Sequence, residues 1–151
     1  MKIGLRMPKA LTIFKRRIRE IINENDNRQL RLFGIMQEQI ETTTQIAIFR
    51  RKGVRKIVHN NEWWFSIIDI IEVLTETERP RKYWSDLKQK LIKEGYSEVS
   101  EKIGQLKLQS SDGKFYETDC ANTETLFRII QSIPSPRVEP LKRWLARVGY
   151  E

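Results

Sequence analysis

Apolar residues alternate with polar ones in two regions of the chain and recur at helical spacing in several others, and the order of these patterns predicts the fold. The stretch "IAIFRRKGVRKIVHNNEWWFSI" predicts three short strands, at Ile46–Arg50, Arg55–Val58 and Glu62–Phe65. A turn on Lys52-Gly53 separates the first two. Asn60-Asn61 separates the next pair, because asparagine tolerates positive φ. Trp63 and Trp64 are adjacent on a strand and so point to opposite faces, which leaves one of them more exposed. Ser66 then caps a helix. "SIID" has the form of a capping box, with Asp69 near the positive helix end. Ile67, Ile68, Ile70, Ile71, Val73 and Leu74 cover most of that helix's circumference, so it is buried on several sides.

In "RPRKYWSDLKQKLIKEG", Pro80 suits the first helical turn, and Trp84, Leu87 and Leu91 share one face with Tyr83 at its edge. Lys82, Lys90 and Lys93 lie opposite. Asp86, four residues from both Lys82 and Lys90, predicts an ion-pair ladder. Gly95 ends the helix. "IGQLKLQSSDGKFYETD" predicts a hairpin, with Leu106 and Leu108 alternating and a turn at Asp112-Gly113. A helix follows from Asn122 or Thr123, with Leu126, Phe127, Ile130 and Ile133 inward, and "PSP" at 134–136 stops it. The last helix, "EPLKRWLARVGYE", starts at Pro140 and presents Leu141, Trp144, Leu145 and Val148 on one face. Lys142, Arg143 and Arg147 lie on the other face with no acid between them. The expected fold is therefore α+β: one small domain over residues 46–151, in which short antiparallel hairpins pack against about four helices.

Residues 1–45 precede it as a basic N-terminal extension and linker. Within them Leu11, Phe14, Ile18, Ile21 and Ile22 fall at helical spacing among Lys15, Arg16, Arg17 and Arg19. That pattern fits an amphipathic helix docking on a membrane surface, a partner or nucleic acid, and equally a tail that is helical only at times.

Charge changes the picture less than the total implies. The 151 residues carry a net charge of +8. Residues 1–40 hold nine Lys/Arg against four Asp/Glu, whereas residues 41–151 hold nineteen against sixteen. The excess that would attract a polyanion is concentrated ahead of the predicted domain. No apolar run approaches the roughly 18 residues of a membrane span. The start carries no export signal. One cysteine, Cys120, allows no internal disulfide, and a reducing cytoplasm is the expected home.

Catalytic groups are scarce. His59 is the only histidine and falls in a predicted turn, and Cys120 is the only thiol. These counts exclude a histidine-cysteine metal cluster. The glycines are isolated, so no phosphate-cradling loop is present. Asp69, Glu72, Asp86, Asp112 and Asp119 show no pair at a persuasive metal-ligand spacing. No catalytic residue, metal or cofactor is expected.

From about Ile48 onward the chain resembles the Bro-N domain, the N-terminal module of baculovirus repeated-ORF proteins and bacterial prophage antirepressors. The resemblance is carried by "VRKIVHN" (54–60), "EWWFSIIDIIEVLT" (62–75), "RPRKYWSDLKQKL" (79–91), "QLKLQSSDGKFYETDCANTETLFRIIQSIPSP" (105–136) and "EPLKRWLARVGYE" (139–151). The bacterial DNA-damage-inducible protein D is similar too. The resemblance implies a small α+β domain with DNA-binding or regulatory roles in phages and mobile elements, and it supplies no catalytic residues. Residues 1–45 have no counterpart in it, and Met36 looks like an ordinary start for such a protein. Residues 1–35 are thus expected to be a lineage-specific extension or upstream translated sequence. Many relatives continue past "RWLARVGYE" into a second domain, so a stand-alone module, a domain fragment and a truncated form all remain open.

The leading expectation is a non-enzymatic module that binds DNA through surface cations. The candidates are Arg51, Lys52, Arg55 and Lys56, clustered with Arg50 at the first turn; Arg79 and Arg81, near a helix start; and Lys142, Arg143 and Arg147 on the last helix. The alternative is contact with a repressor or a recombination or damage-response protein, without DNA.

Overall fold

The computed structural model describes residues 43–149, and Arg16 besides. The expectations for residues 10–22 and the rest of the N-terminal extension lie outside the described residues. The described residues form an α+β domain. A five-stranded antiparallel sheet has the order β1-β2-β3-β5-β4, from strands β1 (Gln45–Phe49), β2 (Lys52–His59), β3 (Glu62–Ser66), β4 (Gly104–Gln109) and β5 (Phe115–Asn122). Its helices are α1 (Ile67–Thr75), α2 (Pro80–Lys93), α3 (Ser97–Glu101), α4 (Thr123–Gln131) and α5 (Val138–Val148). The short α3, with Val99 buried, is the element the sequence pattern did not announce.

Strand alternation divides the core. Val54, Val58, Trp63, Phe65 and Ala121 face the helices and join one large cluster with α1, α2, α4 and α5. Ile57, Leu108 and Cys120 form a second, smaller cluster with Trp64 and Leu106 on the opposite face. The sheet curls to cover that face itself. β4 touches β2 although two strands separate them in the sheet, and the Gln109 N–H donates to the Thr44 hydroxyl just before β1 (3.0 Å). As the alternation required, Trp63 is buried and Trp64 only partly so. Trp64 lies over Gly104, where an added Cβ would stand 3.0 Å from the ring, so the close approach explains the glycine.

The first turn differs from expectation. It is centred on Arg50-Arg51, and Gly53 lies inside β2 opposite Ile48. The glycine is explained by sheet packing instead: a Cβ there would come within 2.8 Å of the Ile46 side chain. Arg50 and Arg51 have φ of 47° and 71°, and Asn60 and Asn61 have 51° and 62°. Both connections are thus two-residue turns with positive φ at both centres, the type I′ requirement. Asparagine tolerates this region, whereas each left-handed arginine costs about 1 kcal/mol.

α1 is tied down at both ends. The buried Ser66 is its N-cap and accepts from the Asp69 N–H. At the other end the segment after α4 supplies the missing donors: the Ser135 hydroxyl bonds the Leu74 carbonyl (2.7 Å), and Arg137 bonds the Val73 carbonyl (2.9 Å) and Glu76 (2.8 Å). "PSP" therefore does more than end a helix. In α4, Asn122 is the N-cap; Leu126, Ile130 and Ile133 are buried as expected, whereas Phe127 is half-buried and Ile129 is buried besides. α5 begins at Val138, two residues before Pro140. The expected Asp86 ladder is absent among the described residues, and Lys90 pairs with Glu94 instead (3.9 Å).

α5 packs on α4 and on the edge strand β1 through Trp144. Its ring meets Phe49 edge-on at 5.5 Å between centroids, and its indole N–H donates to the Ile48 carbonyl (3.0 Å). Trp144→Phe removes that bond while keeping most of the ring. It should cost about 1–2 kcal/mol in urea unfolding, against a change within about 0.5 kcal/mol for the exposed Arg143→Gln.

Candidate nucleic-acid interface

The nine cations predicted from the sequence divide by environment. Arg55 and Lys56 belong to the fold. Strand β3 ends at Ser66, so the Arg55 N–H has passed the last strand partner. Asp69, one turn into α1, takes its place: Oδ2 accepts both the Arg55 backbone N–H (3.0 Å) and Nε (2.8 Å), and Oδ1 accepts from Nη2 (3.0 Å). The guanidinium also reaches the Ser66 hydroxyl (3.4 Å) and the Gln109 carbonyl (3.5 Å). The hydrogen bond to Asp69 is the main cause that raises the Arg55 pKa further, against the opposing effect of burial. Lys56 is 8 % exposed, with its ammonium 4.0 Å from the Trp63 ring centroid.

Lys142 is half-committed. Its ammonium lies 3.3 Å from Glu139, one turn back, so the acid-free face expected on α5 holds only for Arg143 and Arg147. Both arginines are exposed and have no carboxylate partner among the described residues. Arg51, with Arg50 beside it, is exposed at the hairpin tip. Arg50 stacks over Phe49, 5.4 Å from its ring centroid. Lys52 is half-buried near the C-terminus of α1. Glu76 there is held below the usual carboxylate range, chiefly by its hydrogen bond from Arg137 and in smaller part by the Lys52 charge. Arg79 and Arg81, exposed at the start of α2, follow Glu76 closely in the chain.

Two of these groups are tied to one another through Trp144. Trp144 links Ile48 and Phe49, which lead into the tip, to the middle of α5. At 100° per residue, Arg143 and Arg147 share the helix flank next to Trp144. Trp144, next to Arg143 in the chain, is thereby held against Phe49, next to Arg50. Lys52, Arg79 and Arg81 lie toward the α1 terminus, where Glu76, Glu78 and Arg137 mix the charge. Arg50, a neighbour of the candidates in the sequence, is at the centre of the turn in the structure.

The remaining chemistry is structural. His59 meets Trp64 edge-on at 5.2 Å. Cys120 is buried, and desolvation pushes its thiol up to about 12. Asp119 accepts from the Trp84 indole (2.8 Å) and pairs with Lys88 (3.6 Å), while Asp112 accepts from the Tyr116 hydroxyl (2.7 Å) and the Lys114 N–H (2.8 Å). Among the described residues no three His, Cys, Asp or Glu side chains are grouped to hold a metal ion. Among the same residues no helix is long and apolar enough to cross a membrane.

The family model for the BRO family N-terminal domain matches residues 53–149, more than half of the chain. The chain belongs to the BRO family. The match covers β2 to α5 and leaves β1 outside it. BRO N-terminal domains are DNA-binding and antirepressor-type regulatory domains, not known as enzymes. No curated protein and no solved structure matches the chain.

Removing Asp69 leaves the guanidinium and a strand N–H unpaired, and removing the guanidinium leaves the Asp69 carboxylate without its counter-charge, at a site where the side chains are 17 % and 13 % exposed. Asp69→Ala and Arg55→Gln should each lower stability by about 2–3 kcal/mol in chemical denaturation. The prediction fails if Asp69→Ala unfolds at the parental midpoint.

Proposed function

We propose that this BRO-family domain is a non-enzymatic regulatory module of prophage or mobile-element type that binds DNA through backbone phosphates. The reading rests on the cationic surface around Trp144: the hairpin tip on one side, Arg143 and Arg147 on the other, with no carboxylate paired to them among the described residues. Arg51, Arg143 and Arg147 are the principal contacts. Lys52, Arg79, Arg81 and Lys142 extend the surface, each beside acids that weaken it. Arg55 and Lys56 support the scaffold and touch no phosphate. Lys and Arg contacts of this kind displace counterions, so affinity falls with salt.

A second reading has its own observation. Ile92 and Tyr96 are 47 % and 50 % exposed. Tyr96 lines a groove of about 530 Å³ between α2, α3 and α4, with Leu91, Val99, Arg128 and Gln131. A repressor or recombination protein could be held there without DNA, which is how an antirepressor would act by occupancy.

Fluorescence anisotropy on duplex DNA across a salt series decides between them. For the DNA reading, the slope of log affinity against log salt should become shallower by about 1.8 in Arg143→Ala/Arg147→Ala, at about 0.9 per lost phosphate contact. Arg55→Gln should leave the slope unchanged. A slope indifferent to the α5 pair overturns the proposed surface, and repressor capture that survives nuclease favours the second reading.

A further inference from the structure

The chain builds the same two-residue turn twice, with different residues. Asn60-Asn61 connects β2 to β3 with side chains suited to left-handed backbone. Arg50-Arg51 connects β1 to β2 in the same geometry, at φ of 47° and 71°, with side chains that are not. A turn kept for shape alone would carry the asparagine pair in both places. In the strained turn both arginines are exposed, Arg50 lies over the Phe49 ring, and neither has a carboxylate partner among the described residues. Strain of this kind collects where a side chain must be held in place for contact.

The tip is rigidly mounted. Phe49, the residue before the turn, is buried against Trp144. Gly53, just past it, admits no side chain because Ile46 occupies the space. Phosphate contacts need no such mounting, since a lysine on any exposed helix face supplies a point charge. A well-placed backbone carrying guanidinium forks matters where a base edge is read. Two strands about 4.8 Å apart are also narrower than the major groove, at about 12 Å.

We infer that Arg50 and Arg51 enter a groove of duplex DNA and contact base edges, while Arg143 and Arg147 beside them hold the flanking phosphates. The inference rests on the DNA-binding reading above and adds sequence discrimination to it. Duplex is favoured over single strands because stacking needs exposed rings. Trp63, Trp84 and Trp144 are buried, and the exposed Phe115, Tyr116 and Tyr96 lie on other elements.

The test is selection from a randomised duplex pool by the full chain, followed by affinity measurements on selected and scrambled duplexes. The inference expects enrichment of particular base pairs, with discrimination of about tenfold for a contacted pair. Guanine enrichment places the tip in the major groove, and A·T-tract enrichment places it in a narrow minor groove. Arg50→Asn/Arg51→Gly restores a favourable type I′ turn, so its Tm should rise by about 4 °C while discrimination disappears. Arg50→Lys/Arg51→Lys should keep the salt slope and still lose discrimination. If Arg50→Asn/Arg51→Gly discriminates as the parent does, the groove contact is wrong, and a shallower slope in Arg143→Ala/Arg147→Ala leaves the phosphate reading standing. If the parent binds duplex without salt dependence, both fall together.

Discussion

A short central strand has to become a helix without leaving its neighbour unpaired, and the Arg55–Asp69 pair resolves that conflict. β3 lies between β2 and β5, buries Trp63 and Phe65, and then turns into α1 at Ser66. β2 continues past that corner. Asp69 completes the ladder by accepting the Arg55 N–H and holds the guanidinium against the same carboxylate. The pair thereby joins strand, helix and, through the Gln109 carbonyl, the far hairpin. The curl of the sheet and the seating of α1 both depend on it.

That arrangement decides which cations are available. A sequence with nineteen Lys/Arg in residues 41–151 looks generously basic, but much of this charge is used internally. Arg55 joins elements of the sheet and α1. Arg137 bonds the end of α1. Lys88 meets Asp119 beside the Trp84 indole, and Arg128 pairs with Glu98. Among the described residues the exposed cations without a carboxylate partner are spread over several elements, Lys82, Lys93, Lys102, Lys107 and Lys114 as well as Arg51, Arg143 and Arg147. Position relative to buried structure, more than net charge, separates structural cations from surface ones.

Much of the architecture was legible in the chain. The runs at 46–50, 55–58 and 62–65 announced strands, and Leu106 and Leu108 announced another by alternation. Ser66 and Asn122 announced helix starts by capping chemistry. Trp84, Leu87 and Leu91, and Leu141, Trp144 and Leu145, announced buried faces by spacing. These are local signals of backbone propensity and periodicity. What stayed hidden was non-local. Nothing near Arg55 in sequence indicates that Asp69 will reach it, because the partner is fixed by where β3 ends. Gly53 looked like a turn residue because glycine at a turn and glycine under a crossing side chain are alike in one dimension. The tip therefore falls two residues earlier than the sequence suggests, on Arg50 and Arg51. The candidate surface was half legible: Arg51, Arg143 and Arg147 stand exposed as expected, while Arg55 and Lys56 were claimed by the interior.

The indole of Trp144 on the Ile48 carbonyl has a consequence for self-association. An outermost strand is a template on which a foreign chain can continue the ladder, and here the first outward acceptor is already occupied. Fibril growth from that border would first require the C-terminal helix to peel away. Proteolytic loss of that helix would then do more than weaken the fold: it would bare the border next to two isoleucines, Ile46 and Ile48, that already face solvent, and convert a chain that resists templating into one that invites it.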